Sequence, residues 1–137
     1  MTTAPVPIPV PDPESIEYWE GCKRHELLIQ KCSGCGELRH YPRLSCSHCT
    51  SEDYEWLPSS GKGVLYSWII VHPPTLPAFK EKVPYPVILV ELEEGIRMVS
   101  NIVDCAIEDL RIDMPLEVTF DEVLEGVMLP KFRPVTP

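Results

Sequence analysis

The apolar positions in the second half of the chain recur with the spacing and run length of β-strands. Residues 63–72 and 87–93 are runs of β-branched and aromatic residues, and residues 116–120 alternate between apolar and polar side chains in a strand that continues towards residue 124. Glu94 and Gly95 form a two-residue hairpin turn, because glycine readily supplies a positive φ. The strands predicted from this pattern cover residues 63–72, 87–93, 96–103, 116–124 and 127–129.

A single helical turn is expected over residues 104–110, between the third and the fourth of these strands. Five strands with a helical turn at that place match a small closed barrel of the OB type, and an open five-stranded meander is the alternative. Residues 130–137 are expected to form a tail. The predicted fold class is therefore mainly β, with a five-stranded OB-type barrel in the second half.

One short helix is predicted in the first half of the chain. Prolines make residues 1–13 an extended, mobile arm, because each proline fixes φ and removes a backbone donor. Asp12 is expected to cap the helix, and Ile16, Trp19 and Cys22 then fall on one face. Trp19 either packs this helix onto its own domain or docks on a partner, and the sequence leaves both readings open.

The segment Ser-Ser-Gly-Lys-Gly at residues 59–63 is predicted to be a flexible joint between two subdomains. The expected organisation is a proline-rich arm over residues 1–13, a helix plus a cysteine-rich ribbon over residues 14–58, and the barrel with its C-terminal tail over residues 59–137.

Two Cys-x-x-Cys pairs lie on either side of a ten-residue spacer, residues 36–45. They are formed by Cys32 with Cys35 and by Cys46 with Cys49. Four thiolates at this spacing are typical of a zinc ribbon, in which a tetrahedral Zn²⁺ has sulfur ligands at about 2.3 Å. The spacer is expected to form a short hairpin between the two pairs. Because the site is closed, with no position left for water or substrate, the predicted zinc is structural rather than catalytic.

Other readings of the cysteines are weaker. Two structural disulfides are an alternative, and a thioredoxin-like redox site expects one pair at a strand-to-helix junction rather than two facing pairs. His48 is expected to point away from four available thiolates. Cys22 and Cys105 are interpreted as small buried side chains.

Charge and hydropathy limit the cellular compartments and the binding partners that the sequence allows. The net charge is −9, yet residues 22–43 hold five Lys or Arg against two acids, while residues 81–125 hold twelve acids against three bases. The N-terminus has no pattern of a signal peptide, and no apolar run reaches the roughly 20 residues of a membrane helix. We therefore expect a cytoplasmic protein with no membrane partner.

A catalytic set is hard to assemble from this sequence. No histidine lies in a nucleophile motif, and no glycine-rich phosphate loop is present. A binding or scaffolding role is favoured over a free-standing enzyme. Single-stranded nucleic acid is the alternative ligand, with Tyr66, Trp68 and Phe79 available for stacking, but the acidic barrel would repel phosphates, so we expect no nucleic-acid partner.

The order of motifs resembles a known family from about residue 14 to residue 134. The matching pieces are Tyr18-Trp19-Glu20, the two cysteine pairs with Tyr41-Pro42-Arg43 between them, Trp56 ahead of Ser60-Gly61-Lys62-Gly63-Val64-Leu65-Tyr66-Ser67, Pro84-Tyr85-Pro86 ahead of Val90-Glu91-Leu92-Glu93-Glu94-Gly95, and Leu129-Pro130-Lys131-Phe132. They are similar to the OB-fold proteins with an N-terminal rubredoxin-like zinc ribbon, known as domain of unknown function 35. The chain departs from that pattern at Asp113-Met114-Pro115 and at Ile69, where many members carry threonine.

The resemblance implies a non-catalytic accessory subunit of an acyl-CoA enzyme. Its expected partner is a thiolase-fold protein, such as a thiolase or an aldolase, in a hetero-oligomer, or else a hydratase of the hot-dog fold. The implied zinc ligands are Cys32, Cys35, Cys46 and Cys49. The partner would supply the catalytic groups, and this chain would support the complex and help to hold the acyl-CoA. A protein that binds or hydrolyses acyl-CoA alone is a further alternative.

Candidate contact residues follow from this role. The proline-stiffened loop of residues 73–86 carries Leu76, Phe79 and Tyr85, which form either an apolar docking edge or a cover folded back over the barrel. The basic ribbon residues either meet CoA phosphates or form a solvated face. They are Lys31, Arg39 and Arg43.

Overall fold

The computed structural model of the protein describes residues 7–73 and 77–135. One α-helix, α1, spans Ile16–Lys23. The strands are β1 Leu28–Cys32, β2 Leu38–Arg39, β3 Tyr54–Pro58, β4 Lys62–Val71, β5 Tyr85–Leu92, β6 Arg97–Ser100, β7 Pro115–Leu124 and β8 Val127–Pro134. Two 3₁₀ turns cover Pro77–Phe79 and Ile107–Asp109. The fold class is mainly β, as the sequence predicted.

The helix begins later, and buries a different face, than the sequence pattern predicted. Asp12 starts a turn in which the N–H groups of Ser15 and Ile16 donate to its carbonyl, so α1 begins at Ile16. The buried positions are Tyr18 and Cys22, whereas Ile16 is 47% exposed. The face predicted for Ile16, Trp19 and Cys22 is thus buried only in part, because the large ring of Tyr18 turns towards the core and leaves Ile16 in solvent.

The first sheet has the order β2-β1-β3 and is antiparallel. The spacer between the cysteine pairs was expected to contain a hairpin of its own. Instead β2 pairs back onto β1, with Gln30 opposite Arg39 and Lys31 opposite Leu38. The first Cys-x-x-Cys pair thus lies at the tip of the β1–β2 hairpin, because its turn directs the chain back along the strand that enters it.

The second sheet has the order β6-β5-β4-β7-β8 and curls on itself. The N–H of Phe132 donates to the carbonyl of Asn101 at 2.9 Å, and the N–H of Val103 donates to the carbonyl of Phe132 at 2.8 Å. These two bonds form a parallel bridge between Ile102 and Phe132 that links the end of β6 to β8. The pairing of β4 with both β5 and β7 is that of an OB-type barrel and excludes the meander.

The last strand is longer than predicted. The residues expected to form a tail continue β8 to Pro134, with Pro130 opposite Phe120 and Pro134 opposite Leu116. Prolines are accepted here because β8 is an edge strand. The N–H of Phe132 points away from β7 towards Asn101, and positions 130 and 134 have the same orientation, so no hydrogen bond to β7 is lost.

The joint between the two sheets, which the sequence analysis expected to be flexible, makes hydrogen bonds to the hairpin after β5. The Ser59 hydroxyl donates to Glu94 Oε1 at 2.8 Å, the Ser60 N–H donates to Glu94 Oε2 at 2.9 Å, and the Ser60 hydroxyl donates to Glu93 Oε2 at 2.8 Å. Gly61 has a φ of +77°, and a Cβ there would lie 2.6 Å from Val118 Cγ1. Glycine serves close packing at this position rather than mobility.

One hydrophobic core extends across both sheets. The helix and β1 contribute Tyr18, Cys22 and Ile29, which are almost completely buried. They join a barrel core formed by Leu65, Ile88, Val90, Leu92, Met98, Leu116 and Phe132. The ribbon therefore has a fixed position on the barrel.

Candidate zinc centre and contact surfaces

The four predicted zinc ligands come together in space. The Sγ atoms of Cys32 and Cys49 lie 3.5 Å apart, those of Cys35 and Cys46 lie 3.7 Å apart, and all four lie within 4.8 Å of one another. A tetrahedral zinc with sulfur ligands at about 2.3 Å has sulfur–sulfur edges of about 3.8 Å. These separations are far longer than a disulfide bond, and all six cysteines are free thiols. The geometry thus favours a metal over the disulfide alternative.

The two Cys-x-x-Cys turns have the same construction. In the first, the N–H of Gly36 donates to the carbonyl of Cys32, and in the second the N–H of Thr50 donates to the carbonyl of Cys46, both at 2.9 Å. The residue after each pair has a positive φ, +80° at Gly36 and +64° at Thr50. The sequence placed a glycine at the first of these positions only. The second shows that the turn geometry, and not glycine itself, is the shared requirement.

The pKa is lowered at two of the four cysteines, Cys32 and Cys46, mainly by backbone N–H groups. The N–H of Cys35 contributes most and lowers the pKa of Cys32 to about 6. The N–H groups of Cys49 and His48 lower the pKa of Cys46, and the latter lies 3.3 Å from its sulfur. The lowered pKa values favour the thiolate form at Cys32 and Cys46, and the thiolate is the form in which cysteine binds a divalent metal.

The donor set fits a structural zinc. Four sulfur ligands complete a tetrahedron and leave no position for water or substrate. His48 is exposed and does not belong to the group, as expected. Zinc bound here would fix the β1–β2 hairpin against the turn that follows Cys46.

The predicted basic contact residues differ in what they do. Arg39 is engaged inside the ribbon: its Nε donates to Gln30 Oε1 at 2.6 Å, and its Nη2 donates to the carbonyl of Arg43 at 3.1 Å. Its guanidinium also lies 5.4 Å from the ring of Tyr54. Arg43 is exposed and Lys31 is half-buried on β1. Arg39 therefore packs within the ribbon, although its buried Nη1 has no hydrogen-bond partner in the part of the chain that the structure describes, and contact of Lys31, Arg39 or Arg43 with an anionic ligand stays a prediction.

Trp19 lies in an aromatic cluster at the meeting point of α1 and the ribbon. Its Nε1 donates to the Tyr41 hydroxyl at 3.0 Å, and its ring is perpendicular to that of Tyr18 at 4.8 Å. His40 belongs to the same cluster, and burial lowers its pKa to about 4. Tyr41 stays 42% exposed. Trp19 thus packs on its own domain while one side of the cluster remains open to solvent.

The predicted docking loop is described only in part. Leu76 and the side chain of Phe79 lie outside the described residues. Tyr85 begins β5 and lines a groove of about 500 Å³ together with Pro7, Lys82, Asn101 and Lys131. Whether this loop docks on a partner or covers the barrel stays a prediction.

The histidines do not form a catalytic arrangement within the described ranges. His25 stacks on Phe120 at 5.3 Å, and His40 is half-buried among aromatic rings. His48 and His72 are exposed. In residues 7–73 and 77–135, no histidine ring nitrogen has a hydrogen bond to a serine or a cysteine. This part of the chain therefore offers no nucleophile activated by a base.

The aromatic residues considered for nucleic-acid stacking are largely occupied. Trp68 lies opposite Ile88 and packs against the core, and the guanidinium of Arg97 covers the ring of Tyr66 at 3.8 Å. Open stacking faces and basic grooves are what single strands require. In addition, no described helix has the length and apolar character needed to cross a membrane.

Comparison with known proteins gives the family. A model described as "ChsH2, rubredoxin-like zinc ribbon domain" matches residues 19–55, and one described as "ChsH2, C-terminal OB-fold domain" matches residues 56–121. A "DUF35 domain-containing scaffold protein" of Methanothermobacter thermautotrophicus is 37% identical over 131 residues, which cover 90% of this chain and 98% of that protein. The chain belongs to the DUF35 family. The resemblance noted in the sequence is thereby confirmed.

Other relatives of this DUF35 chain carry the names of acyl-CoA enzymes. A "probable enoyl-CoA hydratase alpha subunit" of Thermomonospora curvata is 40% identical over 131 residues, covering 96% of this chain. The chain spans only 40% of the length of that relative. The solved structure "Ltp2-ChsH2(DUF35) aldolase" has 40% identity and a TM-score of 0.82, covering 92% of this chain and 98% of the matched chain. A DUF35 protein of Sulfolobus solfataricus, at 15% identity and a TM-score of 0.60, shares the fold.

The structure of this DUF35 chain also shows an apolar surface that the sequence analysis missed. Ile69 and Val99 are 63% and 66% exposed, and they lie on the outer face of the barrel with Val87 and Leu89 between them. Continuous β-branched runs gave no sign of which side faces outward. The bulge in β4 between Leu65 and Ser67 changes that assignment along the strand.

Proposed function

We propose that this chain is a non-catalytic, zinc-containing subunit of an acyl-CoA enzyme complex whose catalytic partner is a thiolase-fold aldolase or thiolase. The observation that carries this proposal is the match to the ChsH2 part of an aldolase at 40% identity over 92% of this chain. At that level of similarity the fold is shared, whereas the activity of the whole assembly belongs to the matched protein.

The described residues support an accessory role. The quartet of thiols suits a structural ion, and the histidines have no base-and-nucleophile geometry in the described ranges. The partner would then supply the groups that make or break a carbon–carbon bond. The zinc ribbon would give it a rigid platform, because the metal, the shared core and the joint at Ser59 and Ser60 fix the ribbon on the barrel.

Contact with the acyl-CoA itself is the finer part of the proposal. Lys31 and Arg43 lie on the basic ribbon, and no ion pair engages either of them within the part of the chain that the structure describes. Such cations are suited to the phosphates of CoA through charge-assisted hydrogen bonds. Arg39 is a weaker candidate for contact with CoA, because its guanidinium already donates hydrogen bonds to Gln30 Oε1 and to the carbonyl of Arg43.

Reconstitution with purified components tests the role. We expect no turnover of acyl-CoA substrates by this chain alone, and aldolase or thiolase activity when it is mixed with the Ltp2-type or thiolase subunit of the same organism. Size-exclusion chromatography with light scattering would show a defined hetero-oligomer. Robust turnover by the isolated chain, or the absence of any complex, would refute the proposal.

A hydratase is the second candidate partner, because the Thermomonospora relative is named as a hydratase subunit. The same experiment decides between the two. A complex that forms only with a hydratase-type subunit and hydrates an enoyl-CoA ester would replace the aldolase assignment, whereas the accessory role of this chain would stand.

A further inference from the structure

The four cysteines of the candidate zinc centre differ in their access to solvent. Cys35 and Cys49 are exposed, and each belongs to a different Cys-x-x-Cys turn. The other member of each turn is buried, with Cys32 at 1% and Cys46 at 3% exposure. Zinc binds cysteine as the thiolate, which is also the form that oxidants attack, and zinc itself has no redox chemistry. Any electrons that an oxidant removes from this centre therefore come from sulfur, and two of the cysteines are open to it.

The absence of a side chain at Gly34 uncovers one side of the Cys49 sulfur. A Cβ at position 34 would lie 3.4 Å from Cys49 Sγ, in van der Waals contact with it. Gly34 does not have a positive φ, so its backbone conformation does not require glycine. The corresponding position of the second turn is His48. Because the two turns have the same construction, the matching approach to Cys35 has a side chain beside it, and Cys49 is the sulfur that a small oxidant reaches more easily.

The closest sulfur of the opposite turn is in position to react with an oxidised Cys49. The Sγ atoms of Cys49 and Cys32 lie 3.5 Å apart, and they need to approach by about 1.5 Å to form a disulfide bond of about 2.05 Å. Cys35 and Cys46 form the equivalent pair at 3.7 Å. Both pairs connect one turn with the other. Two such disulfides would hold the β1–β2 hairpin against the second turn in place of the metal.

We infer that the ribbon is a peroxide-sensitive switch, in which oxidation of Cys49 joins it to Cys32 and releases the zinc. The thiolate of Cys49 attacks hydrogen peroxide, the O–O bond breaks, and a sulfenic acid and a hydroxide ion form. The thiolate of Cys32 then attacks the sulfenic sulfur, so that the S–S bond forms, the S–O bond breaks and a second hydroxide leaves. The two sulfur atoms are oxidised, and the peroxide is reduced by two electrons.

Zinc then keeps only two thiolate ligands, those of Cys35 and Cys46, and dissociates. A second peroxide oxidises these two residues by the same steps. The disulfides are reversible by a thiol reductant, so the reduced chain regains its metal site. This inference goes beyond the proposed function, because it concerns the chain alone and needs no enzyme partner.

Peptide mapping of the zinc-loaded full chain after treatment with hydrogen peroxide tests the pairing. Trypsin cleaves between the two turns, after Arg39 and Arg43, so the two turns fall in different peptides. A disulfide between Cys32 and Cys49 links these peptides, whereas a disulfide within one turn does not, and tandem mass spectrometry identifies the sulfurs that are joined. We expect linked peptides, release of zinc to a chromogenic chelator, and recovery of zinc binding after treatment with dithiothreitol. Retention of zinc in excess peroxide, or disulfides in any other pairing, would overturn the inference.

Gly34→Ala tests the point of attack. Its methyl group would contact Cys49 Sγ and lie 3.2 Å from Ser51 Cβ, so a small shift of Ser51 accommodates it. Ser47→Ala is the control, because it lies at an exposed position of the second turn and adds no atom beside Cys49. Zinc content and melting temperature of both variants are measured first, as a check on the metal site and the fold.

We expect peroxide to release zinc several-fold more slowly from Gly34→Ala than from the wild type, and at the wild-type rate from Ser47→Ala, because oxidation depends on access to the sulfur. A wild-type rate for a zinc-loaded Gly34→Ala would reject Cys49 as the point of attack, and the inference with it. If Gly34→Ala does not hold zinc, the peptide map of the wild type decides alone.

Discussion

The ribbon and the barrel are stabilised in different ways. The ribbon has strands of five, two and five residues, and its most deeply buried groups include thiols and polar side chains, among them Cys32 and Gln30. The barrel has four strands of eight to ten residues and one of four, around large aliphatic and aromatic side chains such as Leu65 and Phe132, both at 0% exposure. Zinc bound to the ribbon would stabilise it as apolar packing stabilises the barrel, because the ribbon strands are too short to bury enough apolar surface.

The comparison also shows where the two regions depend on each other. Tyr18 and Cys22 of α1 are buried in the same core as Phe132 of β8. The barrel therefore has a complete sheet of its own, but part of its apolar core becomes exposed to solvent if the helix and the ribbon detach. Three changes test this division, one in the metal centre, one at the shared aromatic cluster and one at the joint.

The largest effect is expected from Cys32→Ser. Structural zinc contributes folding free energy directly, with apparent values of about 10–16 kcal/mol in small zinc modules. We expect the variant to lose its metal and the ribbon amides to lose protection in hydrogen exchange, while amides of β4 and β5 stay protected with reduced stability. Zinc content by mass spectrometry and exchange by segment are the measurements.

Cys105→Ser is the control for that variant, because Cys105 is half-buried in the barrel and lies outside the quartet. It should keep the metal and the melting temperature of the wild type. A Cys32→Ser protein that retained zinc, or that lost ribbon and barrel protection together in one step, would show that the two regions do not divide as described.

The second effect concerns His40, in the aromatic cluster between the regions. Burial lowers its pKa from 6.5 to about 4. Between these two pH values His40 is neutral in the folded protein but protonated in the unfolded chain. The stability associated with neutral His40 is complete above pH 6.5 and is lost as the pH falls towards 4. Between pH 7.5 and pH 5 the loss is about 2 kcal/mol.

His40→Gln isolates this contribution. Thiolate protonation also lowers stability in acid, but it acts on wild type and variant alike, so the difference between their unfolding free energies cancels it. Urea unfolding at pH 7.5, 6 and 5 should show the wild type losing about 2 kcal/mol more than the variant. Parallel pH profiles would mean that His40 is solvated and that the cluster does not seal the two regions together.

Local features of this molecule could be predicted from its sequence. The cysteine quartet, the long strand β4, the turn at Gly95 and the helical turn near Ile107 follow from spacing and composition within a few residues. Each depends on neighbours along the chain, and the structure agrees with all of them. The family was identifiable for the same reason, since its motifs are short and local.

Features that depend on distant residues were not predictable in this way. Tyr18 faces the core because the barrel lies against that side of α1. Arg39 turns inward because oxygen atoms of Gln30 and Arg43 accept hydrogen bonds from its guanidinium. The prolines of β8 are tolerated because the strand lies at an edge. The exposed face at Ile69 depends on strand pairing and on the bulge in β4. Sequence periodicity contains no information on these long-range pairings.

The smallest effect is expected at the joint, where Glu94→Ala removes the acceptor for the Ser59 hydroxyl and the Ser60 N–H. Glu108→Ala, at an exposed acid in the 3₁₀ turn of the barrel, removes the same charge without these bonds. We expect Glu94→Ala to lower the unfolding free energy by about 1–2 kcal/mol relative to Glu108→Ala, measured by urea denaturation. Because the bonds link the hairpin after β5 to the segment after β3, their loss should loosen the ribbon on the barrel before either unfolds. Equal stabilities of the two variants would show that the shared core alone fixes the two regions, and that the glutamates are only a solvated cluster.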